Sequence, residues 1–271
     1  MEKLLDEIES YWSTRTEGYS EVNHKELAGT QKNAWLKVLT SQFPDKPKEE
    51  IRILDIGTGP GFFPVILAEA GYHVDAVDYT EGMLEKAKEN AGDLCRNIRF
   101  LRMDAQKLDF EDNTFDVVIS RNLTWNLEHP DVAYREWVRV LKVGGRLLNF
   151  DANWYGYLYE EEQRKAYEND RKNVENNSLD DHYLCTDIER MERIALQVPL
   201  SKISRPQWDV KTLREAGLLG IRTDTEIWKT VWSEEERLNY QSTPMFMVTG
   251  VKPDHFLNLP VVEGEKTEGF L

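Results

Sequence analysis

Between Ile53 and Phe62 the chain reads Ile-Leu-Asp-Ile-Gly-Thr-Gly-Pro-Gly-Phe, an apolar run that ends in three glycines at alternate positions. Glycine lets the backbone turn sharply and lets a ligand lie against bare peptide. Pro64 falls in what the pattern predicts to be the first turn of a helix, where proline forfeits no hydrogen bond. A glycine-rich turn from a strand into a helix sits in the binding crevice of an open α/β sheet, although plain chain reversal uses such glycines too. The next apolar run closes on Asp78, 17 residues beyond Gly61, where a carboxylate can accept hydrogen bonds from both hydroxyls of a ribose. A dinucleotide enzyme would use the same carboxylate. The glycine spacing argues against one: pyrophosphate binding calls for G-x-G-x-x-G, and here the third glycine comes one residue early and is followed by Phe62-Phe63. Further on, Met103-Asp104-Ala105 offers a carboxylate and an N–H that could read an adenine edge, or form a solvated turn.

Positioning these residues requires a regular frame. Residues 51–56, 73–78, 98–103, 115–120 and 146–150 read as buried strands, with helices expected over 64–70, 81–91 and 130–141, the last ended by Gly144-Gly145. Strands alternating with helices of this length imply parallel pairing through right-handed crossovers, hence a doubly wound α/β sheet. Two later strands are expected at 221–232 and 245–251, with only a polar connection between them, so they could pair antiparallel at the end of the sheet. Ahead of the sheet, Leu4, Leu5, Ile8, Tyr11 and Trp12 mark one amphipathic helix. A polar break at Ser13–Asn23 precedes a second helix facing inward with Leu27, Ala34, Trp35, Val38 and Leu39. The segment 155–205 interrupts the alternation; Thr186-Asp187-Ile188-Glu189 reads as a capping box opening a helix with Ile188, Met191, Ile194, Ala195 and Val198 on one face. The expected organisation is a helical cap at 1–45, an α/β core at 50–154 and 206–253, a helical lid at 155–205, and a tail at 254–271.

Composition removes several classes of function. The 271 residues carry 34 Lys+Arg against 49 Asp+Glu, a net charge of −15, with the excess acid spread along the chain. No stretch supplies the cationic surface that dominates nucleic-acid affinity, so a DNA or RNA partner is disfavoured. No run nears the roughly 18 apolar residues of a bilayer span, and the charged N-terminus has no apolar signal core, so no membrane partner and a cytoplasmic location are expected. Two distant cysteines, Cys95 and Cys185, argue against a disulfide framework, and no His or carboxylate spacing suggests a metal.

A general base is less legible. His129 precedes Pro130 at a helix start, where capping or solvation is the ordinary role, and His182 stands beside Asp180 and Asp181, an acid–base pair or simply a charged turn. Trp125, Trp154 and Tyr155 follow predicted strands at the carboxyl edge of the sheet, where an acceptor would sit; packing of the lid onto the core is the alternative.

Taken together, LDIGTGPG (54–61), VDAVDYTEGMLEKAKENA (74–91), MDAQKLDFEDNTFDVVISRN (103–122) and EWVRVLKVGGRLL (136–148) resemble the class I S-adenosylmethionine-dependent methyltransferases, in particular the small-molecule group similar to ubiquinone/menaquinone methyltransferases. The resemblance is close over 50–150 and loose over 206–253. It implies a Rossmann-like seven-stranded sheet, S-adenosyl-L-methionine as cofactor and a small-molecule methyl acceptor. By the same resemblance, Asp55 with Gly57, Thr58, Gly59 and Gly61 holds the methionine part and Asp78 the ribose. Tyr79 and Met83 lie along the adenosine, Asp104 and Ala105 meet the adenine, and Arg121 and Asn122 face the sulfonium. Trp12-x-x-Arg15-x-x-x-Tyr19 is similar to the element that folds over the cofactor. The remaining alternatives are a non-enzymatic binder or scaffold, a nicotinamide oxidoreductase and a nucleic-acid methyltransferase.

Overall fold

A computed structural model describes residues 4–183 and 186–254. The chain runs α1 (Leu4–Ala28), α2 (Gln31–Thr40), β1 (Arg52–Ile56), α3 (Phe62–Glu69), β2 (His73–Asp78), α4 (Glu81–Ala91), β3 (Ile98–Arg102), β4 (Phe115–Arg121), α5 (Pro130–Val140), β5 (Leu141–Asp151) and α6 (Glu161–Asn176). It continues through α7 (Ile188–Ala195), α8 (Gln207–Glu215), β6 (Leu219–Asp224), α9 (Trp228–Val231), α10 (Glu234–Asn239) and β7 (Phe246–Val251). The seven strands form one sheet in the order β3-β2-β1-β4-β5-β7-β6. β1 to β5 pair in parallel, and β7 lies antiparallel between β5 and β6. The strand order reverses between β1 and β4, which opens a crevice at their carboxyl ends.

Both faces of the sheet are covered, which is why its strands are apolar nearly throughout. Ile53, Val117, Ile119, Leu148 and Phe150 pack with Trp35, Leu39, Phe62 and Phe63 on one face. Leu54, Ile56, Val118 and Leu147 pack with Tyr134, Trp137 and Val138 of α5 on the other. Each such side chain taken from water contributes about 1.5–3 kcal/mol. Among the described residues no helix is long and apolar enough to cross a membrane.

Several elements depart from the sequence reading, each for a local reason. The polar stretch Ser13–Asn23 is no break, since α1 continues unbroken to Ala28. Its hydroxyls are absorbed by the helix itself, Thr14 donating to the Tyr11 carbonyl and Thr16 to that of Ser13. Ser20, and His24 just beyond the stretch, meet Asn90 of α4. Helix α5 stops at Val140, before Leu141, and Gly144-Gly145 lies inside β5 instead of ending the helix. Lys252 Nζ caps the Arg139 and Leu141 carbonyls there. The strand expected over 221–232 ends at Asp224, whose side chain accepts the Glu226 N–H in a turn, and Trp228–Val231 is helical. The connection before β7 also holds α10, opened by a capping box of Ser233 and Glu236. The cap of α7 sits one residue later than read: Asp187 accepts from the Arg190 N–H, while Thr186 donates to the Tyr183 carbonyl. Residues 255–271 of the expected tail lie outside the described residues.

Gly61 illustrates how tightly the first βα unit is built. Its φ is +91°, and a Cβ there would stand 2.9 Å from the Ala87 Cβ of α4. Gly61→Ala therefore combines backbone strain with overpacking and should lower stability by about 2–4 kcal/mol in urea unfolding; an unchanged midpoint would show that α3 and α4 do not meet there.

Candidate active site

The glycine turn is held from two sides. The Gly57 and Thr58 N–H groups donate to the Val77 carbonyl at 2.8 and 3.0 Å, tying the turn to β2. Asp78 then accepts from the Gly59 N–H through Oδ2 and from the Thr80 N–H through Oδ1, both at 2.9 Å. One carboxylate thus joins the turn after β1 to the start of α4. The glycines serve separate ends: a Cβ on Gly57 would meet Leu123 at 2.7 Å, one on Gly59 would touch the Tyr19 ring at 3.5 Å, and Gly61 lets α4 approach.

A cleft opens over the carboxyl ends of β1, β2 and β4. Tyr19, Gly57, Gly59, Asp78, Tyr79, Met83, Asp104, Ala105, Arg121 and Asn122 all line it. Asp55, Thr58 and Gly61 do not; they are buried behind the turn. Burial pushes Asp55 up to about 7, with the Asp78 charge adding to it and Thr58 and Arg121 opposing. Its Oδ2 and the Thr58 Oγ1 lie near one another without a well-formed hydrogen bond. Burial also raises Asp78, opposed by the N–H groups of Thr80 and Gly59.

α1 crosses the mouth of the cleft with Leu5, Ile8, Glu9, Trp12 and Tyr19. Its Glu26, which the sequence reading did not single out, makes a bidentate pair with Arg121 at 2.7 and 3.0 Å. The Arg121 guanidinium also lies over the rings of Phe62, Phe63 and Trp35, at 4.7, 5.1 and 5.3 Å. Burial opposes its charge, but Glu26 more than offsets that and raises its pKa. The cation expected at the cleft is therefore already neutralised by the helix above it. Nothing in the sequence signalled this, because Glu26 lies beyond the polar stretch Ser13–Asn23 and its meaning comes from contact with Arg121.

A second cavity of about 680 Å³ adjoins the cleft and shares Trp12, Tyr19 and Asn122 with it. Trp125, Trp154, Tyr155 and His182 line this space. His182 Nδ1 is 3.0 Å from the Tyr240 hydroxyl and Nε2 is 3.0 Å from Glu235 Oε1. His129 stands apart: it is exposed, lines neither space, and lies 3.8 Å from Glu128. Behind the tryptophans runs a fully buried network. Arg205 pairs with Asp151 and Asp209 at 2.7 Å each, and Asp151 accepts from the Trp125 N–H and the Trp154 indole N–H. Burial raises Asp151, with Arg205 opposing.

The family described as a methyltransferase domain matches residues 54–149. A demethylmenaquinone methyltransferase of Clavibacter sepedonicus is 41% identical over 98 residues, 36% of this chain and 39% of that protein. One from Renibacterium salmoninarum is 31% identical over 148 residues, 55% of this chain and 60% of that protein. The chain thus spans about two fifths to three fifths of the length of these relatives. Among solved structures, phosphoethanolamine N-methyltransferase 2 of Haemonchus contortus with S-adenosyl-L-methionine superimposes with a TM-score of 0.60. It is 18% identical and covers 86% of this chain and 56% of that one, so the likeness is one of fold.

The burial of Asp55 has a consequence for stability. Its folded pKa lies above that of an unfolded aspartate, so the folded state holds the proton more tightly. The contribution of Asp55 to stability is then fully present at acid pH and is lost as pH rises from about 4 to about 7, by roughly 1.4 kcal/mol per pH unit. Asp55→Asn should raise the unfolding midpoint relative to the parent at pH 8 but not at pH 4; an equal effect at both would show Asp55 to be ionised throughout.

Proposed function

We propose, for a chain whose α/β core belongs to the S-adenosylmethionine-dependent methyltransferases, that it moves a methyl group from S-adenosyl-L-methionine to a small organic acceptor held in the second cavity. The observation that carries this reading is the convergence of the Gly57–Gly59 turn, Asp78 and Asp104 on one cleft that meets a second cavity at Tyr19 and Asn122. In this reading Asp78 accepts from the ribose while Tyr79, Met83, Asp104 and Ala105 flank the adenosine. Asp55, Thr58 and Gly61 act from behind the turn by fixing its shape. Arg121 and Asn122 stand where the two spaces join, and the Asn122 Oδ1 is buried there without a well-formed hydrogen bond, an acceptor suited to the cofactor's polarised end.

When bound, the cofactor supplies a methyl group on a cationic sulfur that leaves by in-line displacement. The chain's own part is alignment and dryness. Holding two reactants in line contributes about 7–11 kcal/mol, and excluding water favours a step in which charge is lost. The first cleft has a free volume of about 100 Å³, below the roughly 300 Å³ at which ordinary ligand pockets begin. Leu5, Ile8 and Trp12 would therefore have to withdraw as the cofactor enters and settle after it. We assign residues 1–45 and 155–205 to this cap and lid, with 50–154 and 206–253 as the α/β core. Two relatives are named for demethylmenaquinone, which makes a quinol a second candidate acceptor, planar enough to stack on Trp125 and Tyr155. The acidic surroundings weigh against a nucleic acid.

Incubation with methyl-labelled cofactor and a metabolite extract should move label into the small-molecule fraction. Cofactor binding without transfer to any fraction would make the chain a binder and not an enzyme. Asp78→Ala should weaken cofactor binding more than tenfold; an unchanged affinity would remove Asp78 from the ribose.

A further inference from the structure

The charge on the wall of the second cavity is one-sided. Glu21, Glu26, Asp180, Asp181, Glu235 and Glu236 line it, against Arg15 and Lys25. Some of this charge is answered nearby: Glu26 by Arg121, Asp181 by Arg171 at 2.6 Å, and Asp180 loosely by Lys25 at 4.0 Å. Glu236 is different. Its Oε2 accepts from Gln31 at 2.6 Å and from the Ser233 N–H at 2.8 Å, both neutral donors, while Arg121 is committed to Glu26. Burial raises its pKa, and the neighbouring Glu26 raises it further. A carboxylate in such a place is stabilised by a ligand carrying positive charge. The rest of the wall suits that ligand, since Trp12, Trp125, Trp154, Tyr155 and Tyr240 line it and the face of an aromatic ring attracts a cation. Tyr183, buried in the same wall, has a hydroxyl near Thr243 but no well-formed hydrogen bond.

The same wall holds a route for a proton. His182 stands between Tyr240 and Glu235, both of which line the cavity. A carboxylate accepts only, so Nε2 carries the proton given to Glu235, and Nδ1 is left to accept from the Tyr240 hydroxyl. Around this histidine stand Glu235 and Glu236 near α10, Arg171 of α6, Lys25 of α1 and its own neighbours Asp180 and Asp181.

We propose that the acceptor is an amine, bound in the second cavity as its ammonium ion, and that Tyr240, His182 and Glu235 take away the proton that masks its lone pair. This rests on the methyl-transfer reading and names the class of acceptor for it. As the ammonium N–H bond breaks, its electron pair stays on nitrogen and the proton passes to the Tyr240 oxygen. The phenol's own proton passes to His182 Nδ1, and the imidazolium so formed is paired with Glu235. A quinol would fare worse here, because its reactive form is an anion and the wall would repel it.

Calorimetric titration of the full chain, saturated with S-adenosylhomocysteine at pH 7, tests the class of ligand directly. The probes are arylalkylamines such as 2-phenylethylamine, each paired with its alcohol such as 2-phenylethanol, and 1,4-naphthoquinol under anaerobic conditions. At least one amine should bind tenfold or more tightly than its alcohol and than the quinol. If no amine outbinds both its alcohol and the quinol by tenfold, the proposal is overturned. Failure to bind S-adenosylhomocysteine at all would instead overturn the methyl-transfer reading, which this first titration reads separately. With the tightest amine, His182→Asn should bind it within threefold of the parent, lower kcat at least tenfold at pH 7, and recover toward the parent at pH 10, where free amine enters from solution. An unchanged kcat at pH 7 would remove His182 from the proton route.

Discussion

The carboxylate that ends β2 is the constraint on which the site depends. Asp78 holds the Gly59 N–H with one oxygen and the Thr80 N–H with the other, so the turn after β1 and the start of α4 cannot move independently. Three glycines at positive φ would otherwise leave that turn loose, since such residues lose most conformational freedom on ordering. The Val77 carbonyl adds two more bonds to the same turn. The cost is a half-buried carboxylate beside a buried one, Asp55, and burial raises both. A crevice at the point where strand order reverses is thus rigid on its floor and negatively biased.

Its roof is made differently. α1 packs Ile8 and Tyr11 against Met191 and Ile194 of α7, and over the crevice it adds polar contacts: Glu26 with Arg121, Ser20 and His24 with Asn90, and Glu9 with Arg102. Such contacts can open and reform with less loss than an apolar seam, because water replaces the partners. The Glu26–Arg121 pair also neutralises a guanidinium lining the cleft, which a cationic sulfonium would otherwise meet as a repulsion. Cleft and cavity therefore share Trp12, Tyr19 and Asn122, with Arg121 beside them already paired to Glu26. Arg205, 3% exposed, performs the matching task beneath Trp125 and Trp154, fixing Asp151 so that it can hold both.

The parts of the fold legible in the sequence are those in which one period dominates. β2 and α4 fall within the residues expected for them, because a buried parallel strand and an amphipathic helix each repeat cleanly over six residues or more. The polar stretch reads as a break in α1 because Thr16, Ser20 and Asn23 are buried with hydrogen-bond partners, and hydropathy cannot tell a buried hydrogen bond from solvent. The strand expected to run to Trp232 failed for a related reason: Ile227 and Val231 are buried at helical spacing, yet bulky apolar residues suit either element. At the site, ten of the expected residues line the cleft; Tyr19 comes from α1 and Met83 from α4, and the others stand at strand ends or in the turns after them, whose position follows from strand order. Asp55, Thr58 and Gly61 shared their motif but not their exposure, since alternation along β1 turns Asp55 inward. Glu26, Glu235 and Tyr240 were invisible because what gives them meaning is contact across the chain, Glu26 with Arg121 and the other two with His182.

The central claim is that the crevice floored by Gly57, Gly59 and Asp78 is shaped for an adenosyl sulfonium and not for a dinucleotide. Calorimetric titration of the full chain with S-adenosyl-L-methionine, and separately with NAD⁺ and NADH, tests it most directly. The account predicts micromolar binding of the first and no heat from the other two. Tight binding of a nicotinamide dinucleotide with none of the sulfonium would contradict it.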